Sequence, residues 1–187
     1  AGYSHLIEHI DEIHHLQTGT IRLGAYTSLS CHWLPKRIKK FKDAYPNIKF
    51  ELYQEDDLHL LDWLQKGTID LVFMSNPRKQ EYQYQDLIQD PFVIILPKDH
   101  FAADRNSISR RELKNESFIM LEVGYGTYFK DMFKIANYTP TVEYRMIDDT
   151  TVLSMVECGF GISILPELVA HRTPFHIKCV DMQDDYY

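Results

Sequence analysis

The chain reads as an α/β protein, and three observations point that way. Strand-length apolar runs at residues 69–74 and 92–96 alternate with stretches whose apolar residues recur every three or four positions. Twice, a helical run ends in glycine and passes straight into an apolar strand: Leu64-Gln65-Lys66-Gly67 before Ile69, and a run from Asp149 before Gly159-Phe160-Gly161-Ile162. Composition also fits a packed globular core, with 44% hydrophobic and 25% charged residues in 187.

Residues 4–16 predict a helix with Leu6, Ile10, Ile13 and Leu16 as its apolar stripe, ended by Gln17-Thr18-Gly19. A strand is expected over 20–26. Residues 29–44 then put Leu34, Ile38, Phe41 and Tyr45 on one helical face. Residues 48–53 alternate as a strand. Asp57 is the expected N-cap of a helix to Lys66, and residues 69–74 form a strand buried on both faces. After a polar loop near 77–84, strands are expected at 84–89 and 92–96, the latter stopped by Pro97. Ser109-Arg110-Arg111-Glu112 has capping-box spacing for a short helix. A strand over 118–121, a helix led by Gly124-Tyr125-Gly126-Thr127 and a strand over 142–146 follow. Next come a helix capped by Asp149, a strand before Pro166, a short helix to residue 170 and a last strand over 175–180. The alternation implies right-handed βαβ units and a mostly parallel sheet.

A formal net charge of −7 argues against this chain gripping DNA itself, because phosphate contacts need a basic face. No apolar run approaches the length of a membrane span, and no secretory leader is visible. Cys31, Cys158 and Cys179 are odd in number and widely spaced, which suits reduced cytoplasmic thiols. Cys158 reads as core. Cys31, near a helix start, permits a reactive thiol, against the simpler reading of a buried small residue. Enzyme signatures are missing: no Gly-x-Ser-x-Gly elbow, no phosphate loop and no paired acid–base set. Gly124-Tyr125-Gly126 lacks the third glycine of a dinucleotide fingerprint. No metal is expected: His5, His9, His14 and His15 have no Cys or carboxylate cluster to complete a ligand set, and they read as a solvated helix face. His32 and His59 begin or line helices on the cleft side and read as surface residues, with ligand contact as the alternative.

Thr27 and Ser28 follow the first strand and precede a helix. Their hydroxyls and the free N–H groups of that first turn suit an anionic group, although Ser28 also reads as a plain N-cap. Glu55-Asp56-Asp57 closes the second strand. Asp57 there would repel an anion and favour an ammonium or polar neutral group, or simply cap its helix. Ser75 and Asn76 close the third strand.

The two helix–glycine–strand stretches, together with Ile21-Arg22-Leu23-Gly24, Leu34-Pro35, Phe41 and Tyr45-Pro46, resemble the effector-binding domain of LysR-type transcriptional regulators. The likeness runs over about residues 18–180. It implies two Rossmann-like α/β subdomains joined by two crossover hinges, the type 2 periplasmic-binding-protein-like fold. Residues 1–17 would be the end of a linker helix. Residues 18–88 and 164–187 would form subdomain I and residues 89–163 subdomain II, with a flexible waist near 159–165 and an effector cleft between the lobes. The resemblance places effector contacts at Thr27, Ser28, Asp57, Ser75, Asn76, Gly124, Tyr125, Gly126, Thr127 and Thr150. The family commonly has a small or hydroxyl residue where this chain has Asp57. Also implied are a cytoplasmic homo-oligomer, a small-molecule effector, no cofactor and no catalysis. DNA contact would be made only through a winged helix-turn-helix preceding this segment, and the family usually continues beyond a last strand such as 175–180. The competing reading is an extracytoplasmic solute-binding protein of a transporter.

Overall fold

A computed structural model describes residues 18–74, 82–122, 129, 133, 139–170 and 173–183. The expected helix at 4–16 lies outside the described residues. So do Ser75, Asn76, Gly124, Tyr125, Gly126 and Thr127, with most of the helix they were expected to lead. The chain divides into two compact units, residues 1–89 and 90–187.

The first unit is built on a three-stranded parallel sheet. Strand β1 (Gly19–Ala25) lies between β2 (Ile48–Gln54) and β3 (Leu71–Phe73), with Ala25 opposite both Gln54 and Phe73. The three strands therefore end at one edge. After β1 the chain makes a π-helical turn, Leu29–Trp33, and continues as α1 (Leu34–Ala44) with Pro35 in its first turn. Proline is tolerated there because first-turn N–H groups have no intrahelical acceptor. Leu34 and Phe41 of α1 join Leu23, Ala25, Ile48, Ile69 and Phe73 in burial. Helix α2 (Asp57–Gln65) adds Leu60 and Leu61.

The second unit holds two sheets. Strand β4 (Phe92–Pro97) is antiparallel to both β8 (Ser163–Pro166) and β9 (Ile177–Met182), and β5 (Ser107–Ile108) runs parallel to β9. Strands β6 (Ser117–Leu121) and β7 (Thr141–Met146) form a parallel pair. Helices α3 (Asp149–Glu157) and α4 (Glu167–Ala170) complete the described elements. β4 is apolar throughout because both its faces are covered. Ile94 and Leu96 pack with Phe118, Phe129, Phe133 and Ile164, whereas Val93 and Ile95 pack with Ile119, Val152, Val156 and Leu165. Ile162 ties the sheets together, donating to Ser117 O and accepting from Ile119 N, while Ser163 Oγ donates 2.7 Å to Ile119 O.

Both helix–glycine–strand stretches form the same cap. Gly67 N donates to Leu64 O and Thr68 N to Trp63 O; Gly159 N donates to Val156 O and Phe160 N to Met155 O. These are Schellman bonds, and they require the left-handed φ of +69° at Gly67 and +79° at Gly159.

Several expectations need correction. Strands β8 and β9, expected in the first subdomain, flank β4, and their hydrogen bonds hold them in the second unit. Residues 159–165 are correspondingly no waist between units; the described chain passes from one unit to the other at 89/90. Strand β4 pairs antiparallel with both its neighbours, so this sheet is mixed rather than mostly parallel. Residues 84–89 form no strand, and 109–112 form turns instead of a helix. One half of the capping box is nevertheless made, with Glu112 Oε2 accepting from Ser109 N and Oγ. Cys31 and Cys158 are exposed, not core, and neither they nor Cys179 is in a disulfide.

Candidate functional site

Parallel strands leave their carboxyl ends open to ligands, because the helices that follow start there with unbonded N–H groups. In the first unit this edge carries Thr27 and Ser28 after β1, and Gln54 to Asp57 at the end of β2. The two turns touch: Gln54 Nε2 donates 3.2 Å to Thr27 Oγ1. A hydroxyl that accepts one bond still has its proton to donate.

Ser28 does not cap. It already has helical φ and ψ, makes no side-chain capping bond and is 2% exposed. Its Oγ is buried without a hydrogen-bond partner. Such a group costs about 1–3 kcal/mol relative to a satisfied one, so something must offset it or fill it. The π-helical turn beginning at Leu29 adjoins this hydroxyl, and such turns concentrate at functional sites.

The cap of α2 is Asp56, one residue before the expected Asp57. Asp56 Oδ1 accepts from Leu58 N at 2.9 Å and His59 N at 3.0 Å, and its Oδ2 lies 2.9 Å from His59 Nδ1. These bonds, the His59 N–H foremost, hold the Asp56 carboxyl below the usual carboxylate range. The hydrogen bond to Asp56 in turn raises His59 above 6.5, with Glu55 and Asp62 adding to the field. Asp57 is half-buried as the first residue of α2. Sequence reasoning chose the wrong member of an Asp-Asp pair, and the same slip recurs in α3. There Asp148, not Asp149, accepts from Thr150 N, Thr151 N and the Thr151 hydroxyl. The Thr151 hydroxyl leads the causes that lower the Asp148 pKa.

In the second unit, Thr150 is exposed in the first turn of α3, its hydroxyl 3.4 Å from Asp149 Oδ1. The ends of β6 and β7 are joined by Glu122 N donating to Met146 O and by an Arg145–Glu122 ion pair at 3.2 Å. Thus Thr27, Ser28 and Asp57 share one edge of the first unit, and Thr150 lies at the strand ends of the second.

Gln54 is the residue that sequence reasoning passed over, whereas His59 was read mainly as a surface residue and its link to Asp56 was missed. Gln54 was legible only as the end of β2. His59 was legible through its three-residue spacing from Asp56, which brings side chains together at a helix start. Among the described residues, one group could present three ligand atoms to a metal ion: Glu55, Asp56 and His59, within 4.8 Å of one another. No helix among the described residues is long and apolar enough to cross a membrane.

The two-unit α/β plan, with hydroxyls and carboxylates at strand ends, defines a class of small-molecule-binding domains. Residues 14–185 match the family described as LysR substrate binding domain, and the chain belongs to that family. It is 29% identical over 174 residues to the uncharacterized HTH-type transcriptional regulator YvbU of Bacillus subtilis, covering 92% of this chain and 59% of that protein. The chain thus spans little more than half the length of this curated relative.

Solved structures share the fold. HinK, a LysR family transcriptional regulator from Pseudomonas aeruginosa, superposes with a TM-score of 0.83 at 24% identity, over 97% of this chain and 65% of HinK. The effector binding domain of QuiR in complex with shikimate gives 0.78 at 20%, over 91% and 83%. These likenesses bear out the expected fold class; at such identities they speak to fold alone.

Proposed function

We propose that this chain is the effector-sensing part of a LysR-type DNA-binding transcriptional regulator. A small metabolite binds at the strand ends, and the resulting change is passed to a DNA-binding segment of the same regulator. The observation that carries this reading is the Ser28 hydroxyl, buried and without a partner beside a helix start. A ligand oxygen reaching it would supply the missing hydrogen bond, with Thr27 as second donor. The effector-contacting set is Thr27, Ser28, Asp57, Ser75, Asn76, Gly124, Tyr125, Gly126, Thr127 and Thr150. The domain acts as a homo-oligomer in the cytoplasm, without cofactor and without catalysis. The relatives are regulators, which supports this reading over a transporter's solute-binding protein.

The energy required is modest. Allosteric coupling is typically about 1–3 kcal/mol, and one charge-assisted hydrogen bond is worth roughly 1.5–3 kcal/mol. A thermal-shift screen of metabolites tests the proposal, because a ligand at about a hundred times its Kd adds roughly 2.7 kcal/mol of stability. A stabilising metabolite whose effect is lost in Thr27→Ala and Ser28→Ala is expected. Equal ligand-induced shifts in parent and both variants would refute the assignment.

A further inference from the structure

We infer that the effector of this chain carries a cationic nitrogen, held against Glu55, Asp56 and Asp57, and an oxygen acceptor a few bonds away, held by the hydroxyls of Thr27 and Ser28. The inference rests on the functional reading above and narrows its ligand class.

The first argument concerns the α2 N-terminus. A helix start of this kind is ordinarily an anion site. Here Asp56 Oδ1 already accepts from Leu58 N and His59 N, so an internal carboxylate stands where a ligand carboxylate would have to bind. An incoming anion would displace that cap and meet three consecutive carboxylates at close range. An ammonium or amidinium group meets the same three as attractive partners.

The second, independent argument is the Ser28 hydroxyl. It is 98% buried, unpartnered and in a turn without a side-chain cap. That turn is joined to the acidic turn by the 3.2 Å bond from Gln54 to Thr27. One edge therefore offers hydroxyl donors on β1 and carboxylate acceptors on β2. A ligand matching both is an amino compound with a nearby oxygen, such as an amino acid or amino sugar, rather than a simple carboxylate.

The test is a thermal-shift and calorimetric screen on this chain with a mixed panel. The panel holds the proteinogenic amino acids, polyamines, amino sugars, mono- and dicarboxylates, sugar phosphates, neutral polyols and manganese chloride alone. Nitrogen-bearing cations should dominate the stabilising compounds. Their Kd should rise at least about tenfold in Glu55→Gln and Asp57→Asn, the loss of one charge-assisted contact. These variants spare the Asp56 cap. If only carboxylates, phosphates or polyols bind, or if manganese binds while amines do not, the inference is overturned and the sensor reading stands. Amine affinity unchanged in both variants overturns it as well. If no class of compound binds at millimolar concentration, the sensor reading itself fails.

Discussion

Asp56 and His59 form a closed local circuit: one carboxylate oxygen takes the His59 backbone N–H, and the other lies 2.9 Å from the His59 ring. Capping and charge are thus carried by the same side chain. The two roles separate by substitution. Asp56→Asn keeps the capping acceptor and removes the charge; Asp56→Ala removes both. We expect His59 to titrate above 6.5 in the parent and to fall toward it in both variants, read by NMR of the imidazole. The alanine variant should lose more helix stability than the asparagine variant, by about 0.5–2 kcal/mol, because it loses the cap as well as the charge. The signs differ for the two partners. The raised His59 contributes stability that is fully present below about pH 6.5 and fades as pH rises through the folded value. The lowered Asp56 contributes stability present above its unfolded pKa of about 3.9, and this is lost as pH falls through its lower folded value.

Ser28→Ala is expected to leave the melting temperature unchanged or slightly higher, because it deletes a buried hydroxyl that has no partner. The same change should abolish most of the stabilisation by an effector. A marked loss of unliganded stability would mean that Ser28 is a structural hydrogen-bonding residue. Differential scanning calorimetry with and without ligand decides between these outcomes.

Gly161→Ala should cost more than Gly159→Ala. A Cβ at Gly161 would stand 2.4 Å from Ser117 O, within the contact by which Ile162 joins β6, and its φ is +153°. At Gly159 a Cβ meets nothing within 4 Å, so only the left-handed φ of +79° is penalised, at about 1–2 kcal/mol. Backbone strain and overpacking together put Gly161→Ala at about 2–5 kcal/mol. Urea denaturation of the two variants checks the order.

Asp90 behaves oppositely to Asp56. It accepts from Leu168 N through Oδ1 while Oδ2 is buried without a partner, and burial raises its pKa above 3.8, with Glu167 adding to the rise. The folded protein therefore binds a proton here more readily than the unfolded chain. Stability from this site falls as pH rises from about 3.8 through the folded value. Asp90→Asn should flatten that part of the pH–stability profile and raise the relative stability at neutral pH. An unchanged profile, measured by thermal melts from acid to neutral pH, would remove Asp90 as its source.

Much of this fold was legible locally. Gly67 and Gly159 announced helix ends because few other residues tolerate the left-handed conformation that a Schellman cap requires. The apolar run at β4 announced a doubly covered strand. The acidic triplet announced a helix start but not its register: Asp56 and Asp57 are chemically equivalent as caps, and the choice depends on where the strand before them ends. Thr27 and Ser28 were legible as a strand-to-helix turn, whereas the orphaning of the Ser28 hydroxyl was not, since an unpaired atom is defined by everything packed around it.

The sequence by itself determined the α/β alternation, the helix stops and the strand-end turns, because dihedral preference and side-chain periodicity act over a few neighbouring residues. Tertiary structure decided which strands pair. β8 and β9 lie far along the chain from β4, and no local preference says whether they return to the first unit or flank β4. They flank it because Val93, Ile94 and Ile95 need apolar partners on both faces and backbone partners on both edges.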